Sequence, residues 1–244
     1  MNPRKTILTA LRVLNQLRHD PRTLAIVVVV PCVLLYILKY AFDGEPQAFN
    51  RIAPMMLGIF PLLMMFLLTS ISTLRERTTG TLDRLMTQPI SKLDFIFGYA
   101  LAFSLLGLIQ ATLVSVVTLG PLGVTVAGGT FPLIIAAVLA AFLGTSLGLF
   151  VSAFATSEFQ AVELVMPILA PQIFVCGLFV ARDHMSDLLQ RVSDVLPLTY
   201  SVDAMKQITQ HSAWTSDLTK DLLIIVGFAV AALILGSITI RRQE

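Results

Sequence analysis

The sequence predicts an all-α, polytopic membrane protein with six transmembrane helices, and three observations predict it. Of 244 residues, 56% are hydrophobic and only 13% charged, about half the charge of a soluble domain. Mean hydropathy is +0.83. The apolar residues fall into runs at 24–42, 52–74, 95–118, 132–154, 161–181 and 221–240, each close to the 20 or so residues a helix needs to cross hydrocarbon. A net charge of +2 without a Lys/Arg-rich tract gives no footprint for nucleic acid. Cys32 and Cys176 both lie inside apolar runs and read as small buried hydrophobes.

The first element is residues 3–20. A basic start without a continuous apolar core does not read as a cleavable signal. At the helical angle Ile7, Ala10, Leu11, Val13, Leu14 and Leu17 share one arc, while Lys5, Thr9, Arg12 and Gln16 share the other. That pattern predicts an amphipathic helix lying in the membrane interface with its cations toward headgroups. The spans follow, separated by polar or helix-breaking clusters such as "DGEP" and "TSE". In the fourth, Ala136, Ala140, Gly144, Gly148 and Ser152 recur every four residues, a stripe that lets another helix approach closely. In the fifth, Pro167 and Pro171 each remove an intrahelical hydrogen bond, so that helix should kink or break, either as a static bend or as an opening beside a substrate path.

Orientation follows from Lys and Arg. With the N-terminus inside, eleven of the seventeen lie on the cytoplasmic side, which places both termini there, in the inner or plasma membrane. Residues 75–94 then form a cytoplasmic hairpin and residues 182–220 an external region. In the hairpin the second span should run on through Arg75 and Glu76, and Gly80 is placed to end it. Leu82, Leu85 and Met86 give "TLDRLMTQ" one apolar face, and Pro89 stops it. Ser91 and Asp94 suit the start of the third span. An apolar face rimmed by Glu76, Arg77, Asp83 and Arg84 reads as a protein-docking helix held under the membrane.

The stretch "RERTTGTLDRLMTQPIS" resembles the conserved segment of type-2 ATP-binding cassette (ABC) exporter permeases, close to E-R-x-x-G-T-L-[ED]-x-L-x-x-x-P. Glu76, Arg77, Gly80, Thr81, Leu82, Asp83, Leu85 and Pro89 occupy the matching positions. "LPLTYSVDAMKQI" is similar to the same family's N-P-L-T-Y-x-V-[DE]-A-[LM]-[RK] through Pro197, Leu198, Thr199, Tyr200, Val202, Asp203, Ala204, Met205 and Lys206, with Leu196 where Asn is common. A third likeness, to F-x-x-G-x-x-F-P-x-x-x-x-P-x-x-L, keeps Phe174, Gly177 and Leu189 but has Ala181 and Ser186 where prolines are usual.

The resemblance implies that residues 75–94 carry a coupling helix seated on a separate ATPase subunit, and that 182–220 supply short re-entrant helices at the outer surface. It implies a complex of two ABC ATPase subunits with this chain and a second copy or a paralogous permease, surrounded by membrane lipids. ATP and magnesium would be used by the partner; this chain has no G-x-x-x-x-G-K-[ST] phosphate loop and binds no cofactor or metal of its own in this reading.

Rival classes fit less well. A secondary carrier would place ionisable groups near the midplane, where the spans have almost none. An intramembrane enzyme would gather catalytic groups at one depth, yet His19, His184 and His211 are scattered over loops on both sides and H-E-x-x-H is absent. A non-transporting anchor or sensor subunit stays open as an alternative. For the substrate path the candidates are Gln110, Ser115, Pro167, Pro171, Gln172 and Phe174. Their sparse hydrogen-bonding groups on an apolar lining suit an amphipathic, lipid-like or drug-like molecule.

Overall fold

A computed structural model describes residues 3–79 and 92–239. The described chain is helical throughout, with α1 (Pro3–Arg18), α2 (Pro21–Ala41), α3 (Pro46–Thr78), α4 (Lys92–Leu119), α5 (Thr130–Ser152), α6 (Glu158–Glu163), α7 (Val165–Val175), α8 (Asp187–Val195), α9 (Pro197–Gln210) and α10 (Ser216–Thr239). Six segments are long and apolar enough to cross a membrane: α2, α3, α4, α5, α6 with α7, and α10. Of the coupling hairpin read at residues 75–94, residues 80–91 lie outside the described residues.

The centre of the bundle is α3. At 33 residues it is about 50 Å long, well beyond the roughly 30 Å of a hydrocarbon core. Its principal partner is α5; α9 packs on its first half, and α2 and α4 lie along its flanks. The seam with α5 depends on two glycines. A Cβ on Gly144 would stand 2.1 Å from the Leu62 carbonyl oxygen, and one on Gly148 would stand 2.5 Å from that of Phe66. Only glycine permits so close an approach of two backbones. Near its start α3 uses its own Gly58 in the same way, 2.8 Å from the Ser201 carbonyl oxygen of α9. By contrast, α2 buries only Val27, Pro31 and Leu35, one stripe at four-residue spacing. Its other faces leave Ile26, Val29, Val33 and Ile37 exposed, as a lipid-facing helix requires.

Two details of the sequence reading are corrected. The first concerns α1. Its buried face is Thr6, Thr9, Ala10, Val13 and Leu17, and Arg12 points inward to Glu76; Ile7, Leu8 and Leu11 are large apolar side chains left exposed. Thr9 and Arg12, read as headgroup-facing, therefore face protein. Small side chains make this possible: α1 packs on α4 where Gly98 meets Thr9, and a Cβ there would lie 2.6 Å from the threonine. The second concerns the fifth span, read as 161–181. It breaks at Leu164, between α6 and α7, and ends at Val175. Pro167 has no N–H to offer the Glu163 carbonyl four residues back, so the interruption falls one turn before the proline. Pro171 stays inside α7. Gly177, at φ +85°, turns the chain away, and a side chain there would also collide with Lys206 Nζ at 2.5 Å.

The elbow between α1 and α2 is set by Asp20, which caps α2 by accepting hydrogen bonds from Thr23 N (3.2 Å) and Thr23 Oγ1 (2.6 Å). These two bonds hold its carboxyl below the usual carboxylate range. A depressed folded pKa means the cap stabilises above the unfolded pKa and is lost as pH falls through the folded one. Lowering the pH of the purified chain past that range should therefore lower its thermal midpoint more in wild type than in Asp20→Asn. For the α3–α5 seam, Gly144→Ala should cost about 2 kcal/mol through overpacking. Gly227→Ala, where nothing lies within 4 Å, should leave the same thermal midpoint unchanged or raised.

Candidate functional site

The last turn of α3 carries Arg75, Glu76 and Arg77 in succession. Consecutive helical side chains diverge by about 100°, so each of the three reaches a different neighbour. Arg75 forms a two-bond pair with Glu158 of α6, at 2.9 and 3.1 Å. Glu76 accepts from Arg12 of α1 at 2.9 Å. Arg77 donates to the Ser152 carbonyl oxygen at 2.5 Å, closing the C-terminal end of α5, where a cation also complements the helix dipole.

The middle contact is the most buried. Glu76 is 8% exposed. One Arg12 nitrogen, Nη2, donates both to Glu76 Oε2 and to Tyr99 Oη of α4, the latter at 2.7 Å. Burial lowers the Arg12 pKa most strongly, but the Glu76 carboxylate and Tyr99 outweigh it, and the net shift is upward. Tyr99 is 1% exposed and lies in an aromatic column with Phe95 and Phe103, at 4.3 and 6.1 Å between ring centroids. One turn from this column, Thr6 of α1 donates to Asp94 of α4 at 3.4 Å. The end of α3 and the start of α4, which bracket residues 80–91, are therefore both fastened to α1.

Two adjoining clefts open at this end. One, about 280 Å³, runs among Val13, Gln16, Ser72, Glu76, Tyr99 and Phe103. The other, about 420 Å³, is more apolar and lies between α2 and α3, with Val27, Met64, Leu68 and Ile71 inside and the Arg75–Glu158 pair at its mouth.

Of the coupling residues read from sequence, Glu76 and Arg77 are described, and neither stands on an exposed rim: Glu76 is buried and Arg77 partly so. Gly80, Thr81, Leu82, Asp83, Arg84, Leu85, Met86 and Pro89 lie outside the described residues. The six substrate-path candidates do not come together. Gln110 is fully buried on α4 and donates to the Val27 carbonyl oxygen of α2 at 3.5 Å; Ser115 is also buried. Gln172 bonds within α7 to Ile168 O and accepts from Leu198 N at the start of α9. Pro167 and Pro171 are exposed, and Phe174 stacks on Phe179 at the surface.

The four external candidates knit the opposite end together. Pro197 begins α9. Thr199 pairs with Ser193 of α8, whose hydroxyl reaches Val175 O of α7. Tyr200 Oη donates to Asp194 O at 2.5 Å. Burial first, then the Asp194 carboxylate, raises the Tyr200 pKa. Asp203 accepts from Arg182 at 2.7 Å and from Lys206 at 3.4 Å, and Arg182 also pairs with Asp194. Arg12, Asp94, Tyr99, Ser152 and Glu158 were not singled out from sequence for this site. Their partners lie tens of positions away, and only the acid–base complementarity of Arg12 with Glu76 and of Arg75 with Glu158 was there to be matched.

A bundle of six apolar helical segments, each long enough to cross a bilayer and fastened at one end by charged residues, defines the class as a polytopic membrane protein. The family model described as ABC-2 type transporter matches residues 6–209, and the chain belongs to that family. Among curated relatives it is 27% identical over 167 residues to ABC transporter G family member 20 of Dictyostelium discoideum, covering 68% of this chain and 23% of that protein. It is 25% identical over 157 residues to the probable multidrug ABC transporter permease YbhR of Escherichia coli, covering 64% and 43%. It is 24% identical over 181 residues to the E. coli inner membrane transport permease YhhJ, covering 74% and 48%. The chain spans less than half the length of each of these three.

The Arg12–Glu76 contact makes a specific demand. Arg12→Met strands a buried carboxylate and should cost about 3 kcal/mol. Combining it with Glu76→Met should recover most of that loss, read as the thermal midpoint of the purified protein in detergent.

Proposed function

We propose that the chain is the membrane-spanning permease subunit of an ATP-driven exporter. In this reading segment 80–91, between α3 and α4, docks on a separate ABC ATPase. The observation that supports it best is the three-way fastening of the α3 end. Force applied between Thr79 and Lys92 is passed to α1, which holds Glu76 on one side and Asp94 with Tyr99 on the other, and through Arg77 to α5, while the exposed Arg75–Glu158 pair adds only a weak link to α6. A plain connecting loop needs none of these bonds.

Family membership supports the same assembly: two ATPase subunits that use ATP and magnesium, and a second permease copy or paralogue. Closure of the ATPases pushes the segment, and α3 and α4 tilt as rigid bodies to switch access. The segment and both termini then face the cytoplasm of the inner or plasma membrane, consistent with the Lys/Arg asymmetry. The apolar cleft of about 420 Å³ between α2 and α3, with its charged mouth, suits an amphipathic or drug-like substrate, and one relative carries the name multidrug permease.

Leu82→Asp with Leu85→Asp should abolish co-purification with the ATPase and transport of an amphiphilic dye, while membrane insertion and thermal midpoint stay within the wild-type range. Co-purification at wild-type yield would overturn the docking role.

A further inference from the structure

At the end of the bundle remote from Glu76, faces of three helices converge on a cavity of about 910 Å³. Its floor is one face of α9, including Tyr200, Asp203, Lys206 and Gln207; one wall is Arg51 and Met55 of α3, and another is Asp217, Lys220 and Asp221 of α10. Both α3 and α10 pack along α9 but share no substantial seam with each other, so the space between them stays open. The turn at Arg182 and Asp183 closes a third side.

The lining holds four cations and four carboxylates, but they do not all cancel. Arg182 and Lys206 share Asp203, and Lys220 pairs with Asp217 at 2.9 Å. Three charges remain without an ion pair among the described residues: Arg51, Asp221 and, on the turn that closes the third side, the exposed Asp183. Arg51, on the α3 wall, makes no ion pair. Asp221, on the α10 wall, is half-buried and has only the neutral amide of Gln207, at 2.7 Å. On the Arg51 side the surface continues into a second hollow of about 330 Å³ lined by Gln47, Asn50, Thr125, Thr209 and Gln210, which are hydrogen-bonding side chains of the kind that surround a bound oxyanion. One side of the cavity thus offers a cation among hydrogen-bonding side chains, and the other offers a carboxylate.

We propose that this cavity binds a zwitterion, with its phosphate-like anionic group at Arg51 and its ammonium at Asp221. A purely anionic ligand would meet the Asp221 carboxylate, and a purely cationic one would meet Arg51; only a ligand carrying both charges satisfies both walls. The inference does not rest on the transport reading, since occupancy is an equilibrium property of the chain without ATP or partner.

The test uses the full chain purified in detergent and its own reporter, Trp214. This is the single tryptophan, held by Thr219 at 2.7 Å just before the α10 wall. Short-chain phosphatidylethanolamine should shift its emission saturably, and phosphatidylglycerol of the same chain length should bind at least tenfold more weakly. Arg51→Gln and Asp221→Asn should each raise the phosphatidylethanolamine Kd at least tenfold. Arg191→Gln, which removes an exposed cation outside the cavity lining, should change it less than twofold. Saturation by glycerophosphoethanolamine alone identifies a soluble zwitterion as the source; a requirement for acyl chains identifies a lipid headgroup. Equal affinity for phosphatidylglycerol, or a wild-type Kd in Arg51→Gln, overturns the proposal. Arg51 is an exposed surface residue, so that variant carries the test even if Asp221→Asn fails to fold.

Discussion

Two backbones in contact along α3 and α5 are the constraint on which the other packing depends. In lipid, helices gain little from burying apolar side chains against one another, and association relies on close van der Waals approach. Gly144 and Gly148 supply it by removing every atom that would hold the helices apart. Once α5 is fixed on α3, α4 and α10 pack against α5, α9 sits on Gly58 of α3, and α1 closes on α4 at Gly98. Each later contact presupposes the position of α3. The stretch of α3 held this way, from Leu62 to Phe66, moves with α5 as one body, because cores packed backbone to backbone do not deform gradually.

This rigidity gives the charged last turn of α3 its meaning. The Arg75–Glu158 pair is about half exposed at both partners and contributes little on its own, because water and salt screen it. Arg12 with Glu76 is different: the carboxylate is buried, and the guanidinium is shared with a buried tyrosine. Such a pair adds less to net stability than to uniqueness, since its partners tolerate no alternative arrangement without stranding a charge. The result is an end that is loosely latched to α6 and firmly latched to α1. Relative movement of α3 and α6 costs little, whereas α1, α3 and the start of α4 travel together.

Much of this could be read from residues alone. Spans of about 20 apolar residues announce themselves because lipid leaves a helix no other way to satisfy its backbone. The four-residue stripe of small side chains in α5 correctly marked a packing face, although nothing in it named Leu62 and Phe66 as the backbone it would touch. Long-range polar contacts were not legible. Glu76 looked like an exposed charge because its partner Arg12 is 64 positions away. Arg12 in turn looked like a headgroup-facing cation because an amphipathic pattern says which face is polar, not whether protein or water receives it. The break at Leu164 was missed in position for a local reason: a proline weakens the turn before it, and the sequence shows only the ring. Gln110 and Gln172 were read as sparse hydrogen-bonding groups lining a path, and burying such side chains in apolar runs is costly. The structure satisfies part of that cost by tying neighbouring helices together.

The two polar clusters stand at opposite ends of one helix. Arg51 and Glu76 are both on α3, and a rise of 1.5 Å per residue separates them by about 38 Å. Nothing else in the described chain joins the two regions so directly. Between them α3 contains Pro54 and Pro61, each of which deletes one backbone bond and softens the rod at that point. Below Pro61 the helix is clamped by Gly144 and Gly148 of α5; above it, by α9 at Gly58. Pro61 therefore lies between the two clamps, whereas Pro54 lies beyond the one at Gly58. A tilt imposed at Glu76 passes first through the α5 seam, and the backbone bond missing at Pro61 sets how much of it reaches Arg51 and the cavity wall.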